Sequence, residues 1–157
     1  MILLKHCLST EKALENILPI NTRGAALEKI VAVSFPGGKK VTARIGDRLI
    51  ATDQSVESGG EGSAPEPFAL FLASIATCAG YYALQFCRSR DIPTEGMSCK
   101  AVFSYDEQER RYSAVRIALT PPQGFPQKYR DAIVRAMDSC AVKKHLLLPP
   151  KFEITAL

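Results

Sequence analysis

Three short segments near the start of the chain have strand-like patterns: the first is β-branched and apolar, the second alternates between apolar and polar residues, and the third is a short, largely apolar run. They are KIVAVSF (29–35), VTARI (41–45) and RLIAT (48–52), and the turn sequences PGGKK and GD separate them. An alternation with a period of two predicts strands, and glycine-containing turns between such segments predict antiparallel hairpins. This part of the chain is therefore expected to form a three-stranded meander.

A polar loop, DQSVESGGEGSAPEP (53–67), leads into LFLASIATCAGYYALQFC (70–87), a run of eighteen residues without a charge. Pro67 suits the first turn of a helix, and we expect the helix to run to about Arg90, before Pro93. The run approaches the ~20 residues that a membrane span needs. Its polar side chains and the amphipathic strands around it favour a buried core helix and no membrane association.

A helix that is apolar on every side must be buried on every side. One small sheet and one amphipathic helix cannot easily enclose it within a single chain. The sequence therefore predicts an intimate homodimer, in which a second copy of the chain covers the open side of the helix.

The second half of the chain continues with two predicted strands, 96–105 and 112–119, joined by the charged turn DEQERR. KYRDAIVRAMDSC (128–140) has the spacing of an amphipathic helix, AVKKHLL (141–147) predicts a turn or short helix, and PPKFEITAL (149–157) predicts a last strand. The order βββ-α-ββ-α-β indicates a single α+β domain over residues 28–157. Residues 1–27 form an N-terminal extension, in which STEKALENIL (9–18) is a candidate short helix.

Composition and charge exclude several classes of protein. The 157 residues carry a formal net charge of +4, and the basic residues are scattered rather than gathered into a patch, so we expect no nucleic-acid partner. The five cysteines are an odd number without the spacing of a disulfide framework, and the N-terminus lacks the pattern of a signal peptide. These features predict a reduced, cytoplasmic compartment, in which a disulfide would be redox-active rather than structural.

Cys78 lies near the middle of the apolar helix, on its most polar face. That face is shared with residues three, four and seven positions away, namely Ser74, Tyr81, Tyr82 and Gln85. Cys87 falls on the opposite face, so it cannot pair with Cys78 within the helix. Cys7, Cys87 and Cys99 are expected to be small packing residues, since most buried cysteines are inert.

Two segments together resemble the OsmC/Ohr family, the osmotically inducible and organic hydroperoxide resistance proteins. GSAPEPFALFLASIATCAG (62–80) resembles the family's central helix with its reactive cysteine, and CAVKKHL (140–146) resembles the second cysteine motif. The order of the strands also agrees, so the resemblance covers about residues 28–157. It implies an antiparallel sheet around a long buried central helix, in an intertwined homodimer.

The resemblance also implies a chemistry. Cys78 would be the peroxidatic thiol that reduces an organic hydroperoxide, and Cys140 would be the resolving thiol that forms a disulfide with it. An external dithiol, such as a lipoylated protein, would restore both thiols. No cofactor or metal is implied.

This chain departs from the best-studied branch of the family at two positions. Phe68 stands where that branch has a glutamate, and Glu66 is the nearest carboxylate. Lys39, in the turn PGGKK, stands where that branch has an arginine, and lysine lacks the forked geometry of the guanidinium group. Lys39 and Glu66 are therefore candidate auxiliary residues, and the departures indicate the OsmC-like branch with a different activation of the thiol.

Two other interpretations remain open from the residues alone. The first is a non-catalytic dimer that binds a small apolar ligand in a pocket around Cys78, lined by Phe68, Tyr81 and Tyr82. The second is a Cys–His hydrolase or a metal site that uses Cys140 and His145, which the sequence favours less because it supplies no further ligands at a suitable spacing.

Overall fold

The computed structural model describes residues 28–156 as five strands and three α-helices. The predicted N-terminal extension, 1–27, and its candidate helix lie outside the described residues. A short 3₁₀ turn, Gln127–Tyr129, precedes the second helix. In chain order the elements are β1 (Ala32–Gly37), β2 (Lys40–Ile45), β3 (Arg48–Thr52), α1 (Pro67–Arg88), β4 (Ser98–Asp106), β5 (Arg111–Thr120), α2 (Arg130–Asp138) and α3 (Ala141–Leu147).

The predicted α+β class is confirmed, and both sheets are antiparallel. Residue contacts divide the chain into two compact units, the first ending at Ala69 and the second beginning at Leu70. Each unit is described separately below. That residues 28–157 form one domain stays a prediction.

The first unit contains the predicted meander, with β2 between β1 and β3. Its register places Val33 opposite Ala43 and Ala43 opposite Ile50, so these three apolar residues share one face. Gly38 in the first turn has a φ of +58° and Gly46 in the second a φ of +56°, a conformation in which glycine has no steric penalty. The turn residues therefore explain why the strands reverse where the sequence predicts.

A buried carboxylate organises the loop between β3 and α1. Asp53, which is 1% exposed, accepts hydrogen bonds from the N–H and hydroxyl of Ser63 and from the N–H groups of Gln54 and Glu61. The N–H of Asp53 donates to the carbonyl of Pro65 at 3.3 Å, which closes the loop at its base. These hydrogen bonds, of which those from Ser63 have the largest effect, lower the pKa of Asp53 to about 2.

The core of the second unit lies between α1 and α2. Five residues of α1 are buried, and Ala79, Ala83, Phe86 and Cys87 among them form a cluster with Ile133 and Met137 of α2. Ile117 and Leu119 of β5 pack against this cluster. A helical spacing of small and large apolar residues thus gives α1 one packed face against α2 and the β4–β5 hairpin.

Within residues 28–156, some large side chains of α1 stay partly exposed. Phe71 is 38% exposed and Tyr81 is 55% exposed. By length and composition α1 could cross a membrane, with a mean hydropathy of 1.5 over its most apolar window, but the core helix of a soluble protein meets the same criterion. The described chain therefore buries only part of a helix that the sequence predicts to be fully buried.

The predicted last strand is wrong. Residues 149–156 form neither strand nor helix, and Phe152 and Ile154 are 84% and 94% exposed. Their alternating apolar pattern resembles a strand, but a strand needs a hydrogen-bonding neighbour, and this segment pairs with neither described sheet. The short helix expected over 141–147 is confirmed as α3, so the order of elements is βββ-α-ββ-α-α.

Candidate functional site

The structure brings Cys78 and Cys140 into contact. Cys78 lies in the middle of α1 and is half-buried, whereas Cys140 lies between α2 and α3 and is 2% exposed. The two thiols lie close enough that each shifts the pKa of the other. Both cysteines belong to the second unit.

Cys140 is placed by its role as the N-cap of α3. Its backbone is extended, with φ −48° and ψ 123°, and its sulfur accepts a hydrogen bond from the N–H of Lys143 at 3.5 Å. The first N–H groups of a helix have no partner within the helix. In α3 the N–H groups of Val142 and Ala141 lie near the sulfur of Cys78 and act to lower its pKa.

These contacts give the two thiols different acidities. Burial acts to raise the pKa of Cys78, but the hydrogen bonds from Cys140, Val142 and Ala141 outweigh it and hold that pKa below its usual range. Burial, and then the hydrogen bond with Cys78, raise the pKa of Cys140. Cys78 is therefore the thiol that ionises first, and Cys140 is the thiol that stays protonated beside it.

The polar side chains that share the face of Cys78 are engaged within α1. The hydroxyl of Ser74 donates to the carbonyl of Phe71 at 2.7 Å, and the amide of Gln85 donates to the hydroxyl of Tyr81 at 2.9 Å. Bonds of this kind allow polar residues to lie in an apolar helix. The groups that lower the pKa of Cys78 come instead from Cys140 and the start of α3.

Of the other cysteines, Cys87 is a packing residue, as predicted. It is fully buried, its sulfur lies 3.9 Å from that of Met97, and burial raises its pKa. Cys99 lies on β4 and is exposed, so the expectation that it is buried is wrong. Both are free thiols, and Cys7 lies outside the described residues.

Lys39 and Glu66, the candidate auxiliary residues, both hold the loop of the first unit. The ammonium group of Lys39 donates to the carbonyl of Ser58, and the carboxylate of Glu66 accepts the N–H of Ser55 at 3.0 Å. Phe68 lies in the first turn of α1 and is 53% exposed. Any action of Lys39 or Glu66 on Cys78 stays a prediction.

The Cys–His interpretation gains no support from the contacts of His145. Its Nδ1 lies 2.8 Å from the carbonyl oxygen of Ala141, within the same helix, while the hydrogen bonds of Cys140 involve Cys78 and Lys143. Within residues 28–156, no three His, Cys, Asp or Glu side chains are grouped so that they could hold a metal ion.

An apolar cavity of about 450 Å³ borders Cys140. This cavity is not the pocket around Cys78 that the sequence predicts: Phe68, Tyr81 and Tyr82 do not line it, and Tyr81 meets Tyr82 edge to face at 5.8 Å. A pocket around Cys78 stays a prediction. Sequence reasoning missed the cavity because four separate elements form it. Its lining residues are Ile75 and Ala79 of α1, Val115, Ile117 and Leu119 of β5, Val134, Met137 and Asp138 of α2, and Cys140, Lys143, Leu146 and Leu147 at α3.

Solved structures with the same fold are similar to this chain over most of their length. A protein from Psychrobacter arcticus, named for osmotic stress induction and a detoxification response, is 24% identical with a TM-score of 0.65, covering 78% of this chain and 90% of that one. A hypothetical protein from Aquifex aeolicus is 15% identical with a TM-score of 0.63, covering 80% and 92%. An organic hydroperoxide resistance protein, OsmC, from Legionella pneumophila is 22% identical with a TM-score of 0.52, covering 78% and 91%.

The sequence itself matches a family model. No curated protein sequence is significantly similar to this chain. The model of the OsmC-like protein family matches residues 60–155, which include both Cys78 and Cys140 and well over half of the chain. The chain therefore belongs to the OsmC-like protein family.

Proposed function

We propose that this protein reduces organic hydroperoxides with two cysteines, Cys78 as the peroxidatic thiol and Cys140 as the resolving thiol. The observation that carries the proposal is the proximity of these two thiols, together with the N–H groups of Val142 and Ala141, which act with Cys140 to lower the pKa of Cys78. A thiolate is the nucleophile in peroxide reduction, and these donors favour the thiolate of Cys78. The structurally similar Legionella protein is named for organic hydroperoxide resistance.

The proposed reaction has three balanced steps. The Cys78 thiolate attacks the terminal oxygen of the hydroperoxide, the O–O bond breaks, and the products are an alcohol and a sulfenic acid on Cys78. The Cys140 thiol condenses with the sulfenic acid, which forms the disulfide and releases water. Two equivalents of an external thiol, or one dithiol, then reduce the disulfide by exchange.

The activation of Cys78 in this proposal relies on neutral hydrogen-bond donors. The influences that set its pKa are burial and the three hydrogen bonds from Cys140, Val142 and Ala141. A carboxylate at the position of Phe68 is therefore not needed to explain a low thiol pKa. The proposed difference from the best-studied branch is that N–H groups at the start of α3 stabilise the thiolate of Cys78.

The test adds one equivalent of cumene hydroperoxide to the fully reduced protein, followed by peptide mass mapping. We expect a Cys78–Cys140 disulfide and the loss of two free thiols. Cys78→Ser should lose no thiols, and Cys140→Ser should carry a sulfenic acid on Cys78 that dimedone traps. Cys99→Ser, which removes an exposed thiol, is the matched control and should react as the wild type does. An unchanged thiol count in the wild type would refute the proposal.

A second candidate function is a non-catalytic protein that binds a small apolar molecule. The cavity of about 450 Å³ favours it, since ligand sites of this size are usually apolar with few polar groups. Steady-state consumption of cumene hydroperoxide with dithiothreitol separates the two candidates. Turnover that Cys78→Ser abolishes supports the peroxidase, whereas binding of an apolar dye without turnover supports the binding protein.

We also propose that the protein is a homodimer. Tyr81 of α1 is 55% exposed, whereas the buried residues of α1 in the described part of the chain pack against α2. Burying such surface against a second copy is favourable at about 25 cal/mol per Å². Light scattering coupled to size-exclusion chromatography should give twice the mass of the chain, and a monomer mass at micromolar concentration would contradict the proposal.

A further inference from the structure

The structure anchors α2 more firmly than α3. Of the seven residues of α3, all of which the structure describes, none is buried. Residues 139–140 connect α3 to α2, whose Ile133 and Met137 are buried in the core. The N–H of Cys140 donates to the carbonyl of Met137 at 3.1 Å, which ties Cys140 to the last turn of α2. The orientation of α3 relative to α2 therefore depends on contacts that the side chains of α3 make.

One such contact is an ion pair across the connection between the two helices. Asp138, the last residue of α2, accepts a hydrogen bond from the ammonium group of Lys143, in the first turn of α3. Cys140 lies between the two partners in the sequence, and its sulfur accepts the N–H of the same Lys143 at 3.5 Å. Lys143 is thus joined to the end of α2 through its side chain and to the sulfur of Cys140 through its backbone.

Both charges occupy positions that the helices themselves disfavour. A helix carries partial positive charge at its N-terminus and partial negative charge at its C-terminus, so a basic residue is unfavourable at the first and an acidic residue at the second. Asp138 ends α2, and Lys143 stands in the first turn of α3, where a capping box has glutamate or glutamine. Local helix stability therefore does not explain the pair, whereas a contact between the two helices does.

We propose that the ion pair between Asp138 and Lys143 is a positioning contact, which holds the first N–H groups of α3 near the sulfur of Cys78. These are the N–H groups of Val142 and Ala141. Asp138 and Lys143 have no chemical step in this proposal, and both act through α3. The bearing of the contact on catalysis rests on the two-cysteine function proposed above, whereas its effect on the ionisation of Cys78 does not.

The expected effect on Cys78 follows from the groups that set its acidity. Burial acts to raise the pKa of Cys78, but Cys140 and the first two N–H groups of α3 together lower it. Among the described residues, no charged side chain has an influence of this kind on Cys78. Loosening α3 should therefore raise the pKa of Cys78, and the charge on Lys143 should have little direct effect.

The experiment measures the ionisation of Cys78 in the reduced full-length protein, so that it does not depend on peroxidase activity. Alkylation of Cys78 by iodoacetamide is followed against pH by peptide mass spectrometry. Asp138→Asn and Lys143→Met each break the ion pair and keep the backbone N–H groups. Both should shift the midpoint upward and slow alkylation below it by roughly two- to fivefold, the most that loss of an exposed ion pair allows. Glu109→Gln, which breaks an exposed ion pair with Arg111 at the β4–β5 hairpin, is the matched control and should change neither.

Double variants separate positioning from a direct effect of charge. If the pair acts as a unit, Asp138→Asn combined with Lys143→Met should alkylate no more slowly than either single variant. Asp138→Lys combined with Lys143→Asp exchanges the two charges, restores an ion pair and should restore the wild-type midpoint. If the charge on Lys143 acts on Cys78 directly, Asp138→Asn should instead speed alkylation and the charge-exchanged variant should be the slowest. Those results, or equal midpoints in the wild type and every variant, would overturn the proposal.

The two proposals can fail separately. If the single variants shift the midpoint of Cys78 as expected but the wild type does not consume cumene hydroperoxide, the peroxidase proposal fails and the positioning contact stands. If the wild type consumes the peroxide but all variants alkylate as it does, the peroxidase proposal stands and the positioning contact fails.

Discussion

The Cys140 thiol lies beside the sulfur of Cys78 and lowers its pKa, and the same Cys140 sulfur caps α3. This relationship makes the pair asymmetric, because hydrogen bonds stabilise the thiolate of Cys78 while burial favours the neutral form of Cys140. Two cysteines far apart in the sequence thereby acquire distinct acidities from their positions on α1 and at the start of α3.

Removing the donor at position 140 should raise the pKa of Cys78. Cys140→Ala deletes the hydrogen bond to the Cys78 sulfur, whereas Cys140→Ser keeps a hydroxyl donor there. The rate of alkylation of Cys78 by iodoacetamide, followed by mass spectrometry as a function of pH, measures the pKa. We expect the midpoint to shift upward for the Ala variant relative to the Ser variant, with severalfold slower alkylation at neutral pH. Equal midpoints in the two variants would show that the hydrogen bond has no effect.

Protonation of Asp53 at low pH should make the protein less stable. Its pKa is lowered to about 2 by hydrogen bonds, those from Ser63 first, whereas an unfolded aspartate has a pKa of about 3.9. The stabilisation is therefore complete above about pH 4 and is lost as the pH falls toward 2. Urea unfolding at pH 2 to 5 should show a steeper loss of stability in the wild type than in Asp53→Asn. Parallel curves for the two proteins would contradict this account.

Gly60 leaves no room for a side chain. A Cβ there would lie 2.1 Å from the carbonyl oxygen of Gln54 and 2.9 Å from a carboxylate oxygen of Asp53. Gly60→Ala should therefore lower the free energy of unfolding by about 1–3 kcal/mol, the cost of overpacking. Gly80→Ala in α1 is the matched control, since nothing lies within 4 Å of its Cβ position. It should be neutral or stabilise the helix by up to about 1 kcal/mol. Thermal unfolding of the two variants measures the contrast.

Ile133 should contribute strongly to the core of the second unit. It is 2% exposed and packs in the cluster with Phe86 and Met137. Ile133→Ala should reduce the free energy of unfolding by about 2–5 kcal/mol. The adjacent Val134 is 61% exposed, so Val134→Ala should change stability by no more than about 0.5 kcal/mol. Chemical denaturation curves with equal slopes would allow the midpoints to be compared directly.

The elements that follow from local patterns were predictable from the sequence. The meander was predicted from β-branched, apolar and alternating segments and from the glycine turns, and β1 to β3 lie within a few residues of the expected positions. The start of α1 at Pro67 was predicted, and the helix ends at Arg88, two residues before the expected end. Such features depend on neighbours in the sequence, so periodicity and capping residues determine them.

Features that depend on contacts between distant segments were less predictable. The last strand was predicted from its alternating pattern, but the pattern does not reveal whether a partner edge exists. Cys99 was expected to be buried, yet it lies on the exposed part of the β4–β5 hairpin. The apolar cavity is built from four elements, so no local signal indicates it.

The pairing of Cys78 with Cys140 was predicted through a family resemblance rather than from local patterns. The donors from Ala141 and Val142 were not predicted. One signal in the sequence pointed to these donors. Cys140 directly precedes a segment predicted as a turn or short helix, and the residue at that position caps free N–H groups.

The cap on α3 links the state of the thiols to the opening of a helix. The Lys143 amide donates to the sulfur of Cys140. A change in the charge on that sulfur therefore alters the protection of this amide from hydrogen exchange. Coupling of this kind is reciprocal in free energy. Amide hydrogen exchange at Lys143 therefore provides a backbone reporter of the protonation of the cysteine pair, readable without any label on either thiol.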